Sequence, residues 1–314
     1  MSQKKQLVIA VDIGGTKIMT ALFSGDGRML AKDIRPTLAQ DGVNAVIDRL
    51  VTAIKEISAI NKSSLKKIGG IGIACAGGIN TEKGIVVTPS PHLADWRNIP
   101  LAKIIKNKTG IDTYVVNDAS AAALGEQRYG VGEGVKNLVL LTLGTGIGGG
   151  IIIDGELYLG KEGGAGELGH MTVEAEGLKC GCGNTGCLEM YASGTAIEND
   201  YSSRRKNSSK VSTEKIGDAV KKGDKIAKEV IARAAFYLGV GMVNITNIFN
   251  PEMIVLGGGM AALGELIIVP GRQMVAERPF SINARGVKVV VGKLGNEAGV
   301  YGAAAFVIDK RRTQ

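Results

Sequence analysis

Two segments of this chain share one design, an apolar strand, a glycine-rich tip and a second apolar strand. In the first, residues 7–11 are mostly β-branched, Asp12-Ile13-Gly14-Gly15-Thr16-Lys17 makes the turn, and residues 18–23 run back. In the second, LVLLTL at 138–143 leads into Gly144-Thr145-Gly146-Ile147-Gly148-Gly149-Gly150 and then Ile151-Ile152-Ile153. A glycine turn closes each, at Gly25-Asp26-Gly27 and Asp154-Gly155. Such recurrence predicts an internal duplication: two similar half-molecules, each opening with a glycine-tipped hairpin. Glycines let a ligand approach the backbone closely and leave N–H groups free to cradle phosphate oxygens.

Two other nucleotide motifs are excluded. Gly144, Gly146 and Gly149 fit G-x-G-x-x-G, but that fingerprint must open a helix and here the chain continues as three isoleucines. This disfavours a nicotinamide dehydrogenase. No G-x-x-x-x-G-K-[ST] occurs, so a P-loop is not supported.

With 314 residues, 45% of them hydrophobic, the chain can bury a sizeable core in two domains. A formal charge of +8 permits an anionic partner, nucleotide or nucleic acid, without choosing between them. Much of the basic surplus lies in residues 204–228, which read as a solvated loop and helix surface. The first strand begins a few residues after Met1, which leaves no room for a DNA-binding helix-turn-helix, so no nucleic-acid partner is expected. Nothing at the N-terminus reads as a signal peptide and no apolar run reaches a membrane span, so a cytoplasmic protein with no membrane partner is expected.

Three of the four cysteines, Cys180, Cys182 and Cys187, cluster in one glycine-rich loop, with His170 ten positions before the first. Three thiolates and an imidazole complete a tetrahedral zinc shell and leave no position for water, so the expected Zn²⁺ is structural. The alternative is a set of buried or reactive thiols, with one disulfide among them. Zinc would brace the loop that carries Glu167 and Glu189.

Along the chain, residues 43–57 place apolar side chains at helical spacing, and 68–74 read as a buried strand ending at Cys75-Ala76-Gly77-Gly78. Cys75 is most simply a small core residue, and His92, in a Pro-rich loop with Trp96, a surface or packing residue. Residues 113–116 form a strand that delivers Asn117-Asp118 to the start of a helix at 119–124. There Asp118 is either a helix N-cap or a base for phosphoryl transfer to an alcohol. Residues 226–249 read as a long helix and 253–256 as a strand feeding Gly257-Gly258-Gly259. A small-residue helix at 298–308 follows.

The set Asp12-x-Gly14-Gly15-Thr16-Lys17, Asn117-Asp118, Leu143 to Gly150, Glu167-Leu168-Gly169-His170, Cys180-x-Cys182-x4-Cys187-Leu188-Glu189 and Gly257-Gly258-Gly259 resembles the ROK family of repressors and sugar kinases, most closely its glucokinases. The resemblance spans nearly the whole chain. It implies an α/β, actin/hexokinase-like (ribonuclease H-like) fold with an interdomain cleft. The N-terminal domain would be discontinuous, 1–118 plus about 300–314, and residues 119–299 would carry the zinc loop. It further implies an ATP-dependent kinase acting on the 6-hydroxyl of a hexose, glucose ahead of N-acetylmannosamine or fructose, with a sugar-sensing regulator as the alternative.

By the same resemblance Asp118 is the general base, and Asn117, Glu167, His170 and Glu189 bind sugar hydroxyls, with Gly77 and Gly78 close by. One ring nitrogen of His170 would bind zinc and the other face the sugar. Many relatives have a Pro-Gly step where this chain has Cys75 to Gly78. ATP would lie against Asp12, Gly14, Gly15, Thr16, Lys17, Gly144, Thr145, Gly146 and the turn Gly257, Gly258, Gly259, with Asp12 positioning hydrated Mg²⁺. Relatives are commonly homodimers or homotetramers.

Overall fold

The computed structural model describes residues 6–60, 67–90, 93, 95–205 and 211–312; His92 and part of the basic segment, 206–210, lie outside them. The chain forms two compact units, one of Met1–Gly130, Leu157–Ala165 and Glu297–Gln314, the other of Val131–Glu156 and Gly166–Asn296.

In the first unit, β1 (Leu7–Ile13) and β2 (Lys17–Phe23) form the expected hairpin, followed by β3 (Met29–Pro36) and α1 (Val43–Ala59). Then come β4 (Ile68–Cys75), the short hairpin β5 (Gly78–Asn80) and β6 (Ile85–Thr88), α2 (Leu101–Thr109), β7 (Thr113–Asn117) and α3 (Asp118–Tyr129). The sheet order is β3-β2-β1-β4-β7. β1 runs antiparallel to β2 and parallel to β4, which is parallel to β7. Apolar residues of β1, β2, β4 and α1 make one continuous core with Trp96.

The second unit repeats the plan. It holds β8 (Leu138–Leu143), β9 (Ile147–Ile153), the start of the two-residue β10 (Glu156–Leu157), α4 (Glu189–Ala192), α5 (Gly194–Arg204), α6 (Thr213–Lys221), α7 (Lys225–Phe249), β11 (Met253–Gly257), α8 (Glu265–Glu277) and β12 (Lys288–Val291). Its sheet order, β10-β9-β8-β11-β12, has the same antiparallel hairpin followed by parallel strands. The duplication read from the two hairpins therefore extends to both sheets.

The last helix, α9 (Ala298–Arg312), belongs to the first unit and packs on α3 through small residues. A Cβ added at Gly302 would run into the carbonyl oxygen of Ala121, and one at Gly125 into that of Ala298. This packing keeps α3 in the first unit, which therefore extends to Gly130 rather than ending at the expected Asp118.

Two local expectations change. Asp12 and Ile13 lie inside β1, so the first tip shrinks to Gly14-Gly15-Thr16. Gly148, Gly149 and Gly150 lie in β9 rather than in a loop. There the absent side chains serve packing: a Cβ on Gly149 would meet the Gly166 carbonyl and, at 2.8 Å, the Leu168 side chain. Among the described residues no helix is long and apolar enough to cross a membrane.

Candidate functional site

In the first unit the C-terminal ends of three parallel strands form one row. Asp12 of β1 pairs in register with Ala74 of β4, Ala74 with Val116 of β7, and Cys75 with Asn117. The ends of parallel strands, where chains turn away and leave a crevice, are where α/β folds bind ligands. Asn117, not Asp118, caps α3: its Oδ1 accepts from the N–H groups of Ala119 at 2.9 Å and Ser120 at 3.1 Å. Its Nδ2 donates to the Gly77 carbonyl at 3.1 Å. Asp118 is thereby released from capping as the first helical residue, although its Oδ1 also accepts from the Ala119 N–H.

Asp118 is half-buried by surface area but packed deeply enough that desolvation raises its carboxyl above the usual range, against the lowering effect of the Ala119 N–H. Asp12 is pushed up to about 7, first by desolvation and then by the Asp118 charge, with Lys17 opposing. Burial followed by the same two carboxylates pushes the Cys75 thiol far up, which keeps it neutral and fits the expected core residue. α9 makes room for this cluster, since a Cβ on Gly299 would lie 2.6 Å from Asp12 Oδ2.

The glycines beside the row are explained by contacts within the unit. Gly77 has φ +103°, and a Cβ there would strike the Thr88 carbonyl; a Cβ on Gly78 would lie 3.1 Å from the Thr88 side chain. At the first hairpin tip the Gly14 N–H donates to the Lys17 carbonyl at 3.0 Å, and Thr37 Oγ1 donates to the Gly14 carbonyl at 2.6 Å. Gly15 and exposed Thr16 complete the tip.

In the second unit, His170 Nδ1 lies 3.7 Å from Cys180 Sγ, and Cys182 Sγ lies 3.7 Å from Cys187 Sγ. The four ligand atoms of His170, Cys180, Cys182 and Cys187 are all within 4.8 Å of one another. A tetrahedron with metal–sulfur bonds of about 2.3 Å has edges of about 3.8 Å, which this spacing matches. The loop is built by backbone bonds, Cys180 N–H to the Asn184 carbonyl at 2.9 Å and Gly183 N–H to the Cys180 carbonyl at 3.0 Å. Glu189 follows directly on Leu188 and opens α4. Its Oε2 accepts from the Ile147 N–H at 2.8 Å and lies where a Cβ on Gly146 would be. Glu167 precedes the 3-10 turn Leu168–His170, and the His170 N–H donates to its carbonyl at 3.0 Å.

A cavity of about 990 Å³ also lies in this unit, lined by Gly144 and Thr145 of the second tip, by α5 and α6, and by Gly259, Met260, Leu263, Glu265 and Leu266. It includes three of the residues expected to meet ATP: Gly144, Thr145 and Gly259. Gly146 is covered by Glu189 instead. Gly257 ends β11, and Gly258, at φ +85°, packs against the Leu143 carbonyl. Most of the lining was missed by sequence reasoning, including Glu198, Thr213, Gly217 and Lys221. The stretch read as solvated surface is in part α6, whose Ile216 is fully buried. The signal was there in Val211, Ile216 and Val220, hidden among lysines and serines.

Residues 8–310 match the ROK family. The chain is similar to a glucokinase of Thermotoga maritima, 36% identical over 98% of each chain. It is 33% identical to a xylose repressor of Caldicellulosiruptor bescii, over 96% of this chain and 78% of that protein. The solved structure of a ROK family glucokinase from Streptomyces griseus in complex with glucose and AMPPNP is similar at a TM-score of 0.80 and 33% identity, covering 96% of this chain and 98% of that one.

Proposed function

This chain belongs to the ROK family, and from that membership we propose that it is an ATP-dependent sugar kinase with glucose as its first substrate. The observation that carries the mechanism is the row of Asp12, Asn117 and Asp118 at the strand ends, with Asp118 desolvated and freed from capping by its neighbour.

In this reading Asp118 accepts the proton of the sugar 6-hydroxyl as that oxygen bonds to the γ-phosphorus and the bond to the β,γ-bridging oxygen breaks. A raised pKa makes it a stronger base than an ordinary aspartate. Backbone N–H groups at the two glycine tips offset phosphate charge. Asn117, Glu167, His170 and Glu189 are the groups assigned to sugar hydroxyls.

Two metals fit the residues present. Asp12, a hard oxygen donor whose negative charge is disfavoured without a counter-ion, suits Mg²⁺, which would supply charge neutralisation to the transferring phosphate. The Cys180, Cys182, Cys187 and His170 set suits structural Zn²⁺. Bound through His170 Nδ1, it would fix the ring with Nε2 turned away from the metal.

The test is ADP release with glucose, N-acetylmannosamine, fructose and mannose, run with Asp118→Asn alongside. Turnover on glucose, reduced by several orders of magnitude in the variant, is expected. Sugar binding without turnover on any hexose would favour the regulator class of the repressor relative. Near-normal rates in Asp118→Asn would remove Asp118 as the base.

A further inference from the structure

The 990 Å³ cavity has an uneven chemical lining. At one side are Gly144 and Thr145 of the hairpin tip with Gly194 and Thr195, the first residues of α5. Elsewhere four carboxylates, Glu198, Glu214, Asp218 and Glu265, share the wall with the apolar Met260, Leu263 and Leu266. The one lysine there, Lys221, is already 3.2 Å from Asp218. Such a lining repels a bare polyphosphate chain and suits a donor whose far end is neutral and rich in hydroxyl donors, as a nucleoside is.

One carboxylate is fixed more firmly than the others. Glu198 Oε1 accepts from the Thr213 N–H at 2.9 Å and from Thr213 Oγ1 at 3.1 Å. Thr213 lies beside Gly194, whose N–H donates to the Gly144 carbonyl at 2.8 Å. The carboxylate is thus tied by consecutive contacts to the glycine tip. It also lies four residues along α5 from Gly194, on the same face and about 6 Å further by helical rise. That separation is about the span from a phosphate held at the tip to the sugar of the same nucleotide. Glu198 Oε2 has no protein hydrogen-bond partner among the described residues and is the acceptor left for a ligand.

We infer that Glu198, anchored by Thr213, is the residue that reads the ribose hydroxyls of the ATP donor. This inference rests on the kinase reading and adds to it the side chain that selects a ribonucleotide over a deoxyribonucleotide.

Calorimetric titration of the full chain with ADP, 2′-deoxy-ADP, 3′-deoxy-ADP and inorganic tripolyphosphate tests it without relying on turnover. ADP is expected to bind about tenfold or more tightly than at least one deoxy analogue, as fits the loss of a charge-assisted hydrogen bond, and tripolyphosphate is expected not to displace it. In Glu198→Ala the ratio of ADP to deoxy-ADP affinity should fall towards one. Glu198→Gln, which can keep the Thr213 contacts through its amide oxygen, guards against misfolding of the alanine variant and should also lower the ratio. Equal binding of all three nucleotides by the unmodified protein, or a ratio unchanged in both variants, would overturn the inference while leaving the kinase reading intact. Absence of any ADP binding would overturn both.

Discussion

Adjacent in sequence and both competent to cap a helix, Asn117 and Asp118 are distinguished by the hydrogen bonds each makes. Asn117→Ala should destabilise the protein by about 1 kcal/mol, the usual cost of a lost cap, and Asn117→Asp by less; urea unfolding measures both. The order of roles was not legible beforehand, because two cap-forming residues in a row leave the register of the helix start undetermined. Asp12 yields a pH signature. Folding raises its carboxyl from 3.8 to about 7, so in that window the native state holds a proton that the unfolded chain has released. Its contribution to stability therefore falls as pH rises from about 4 to about 7, and the native state bears the full cost of the buried charge above that. Asp12→Asn should add nothing near pH 4 and raise stability by a few kcal/mol near pH 8 in the absence of divalent cations. A gain that did not depend on pH, seen in paired denaturant titrations, would contradict the burial of an ionisable group there.

At the level of elements, the strands and both hairpins were legible because β-branched runs bounded by glycines admit few alternatives. The cysteine–histidine cluster was legible because scarce cysteines clustered. Cys182→Ser should abolish stoichiometric zinc, read by elemental analysis, and loosen the segment that presents Glu189. Full zinc occupancy in that variant would refute the proposed ligand set. The roles of glycines were only half legible, since a sequence does not say whether a missing side chain accommodates a ligand or a neighbouring backbone. Gly148 to Gly150 read as a cradle but lie in β9, with Gly149 under the Gly166–Leu168 segment. Gly302→Ala puts the same point to the test on α9. The added methyl meets the Ala121 carbonyl, and a loss on the order of 1–3 kcal/mol is expected from overpacking, against little change at exposed Gly286, where a Cβ meets nothing and φ is not positive. α6 was the least legible element, because its apolar positions are few and its flanks are charged.

Across the molecule, one sheet plan occurs twice and has been put to different uses. In the first unit the strand ends gather carboxylates and an amide; in the second the corresponding hairpin borders a large cavity and a cysteine–histidine cluster. This division was foreshadowed by the paired hairpins. The cavity was not, because its wall combines α5, α6 and the segment after β11, which only folding brings together. The family joins this chain to both glucokinases and a xylose repressor, and catalysis is what separates the kinase reading from the other. The measurement that bears on it most directly is the initial rate of glucose 6-phosphate formation from ATP and glucose with Mg²⁺ present, for the unmodified chain and for Asp118→Asn at matched zinc content. Robust turnover that collapses by several orders of magnitude in the variant is the predicted result; equal rates in the two proteins, or none in either, would contradict it.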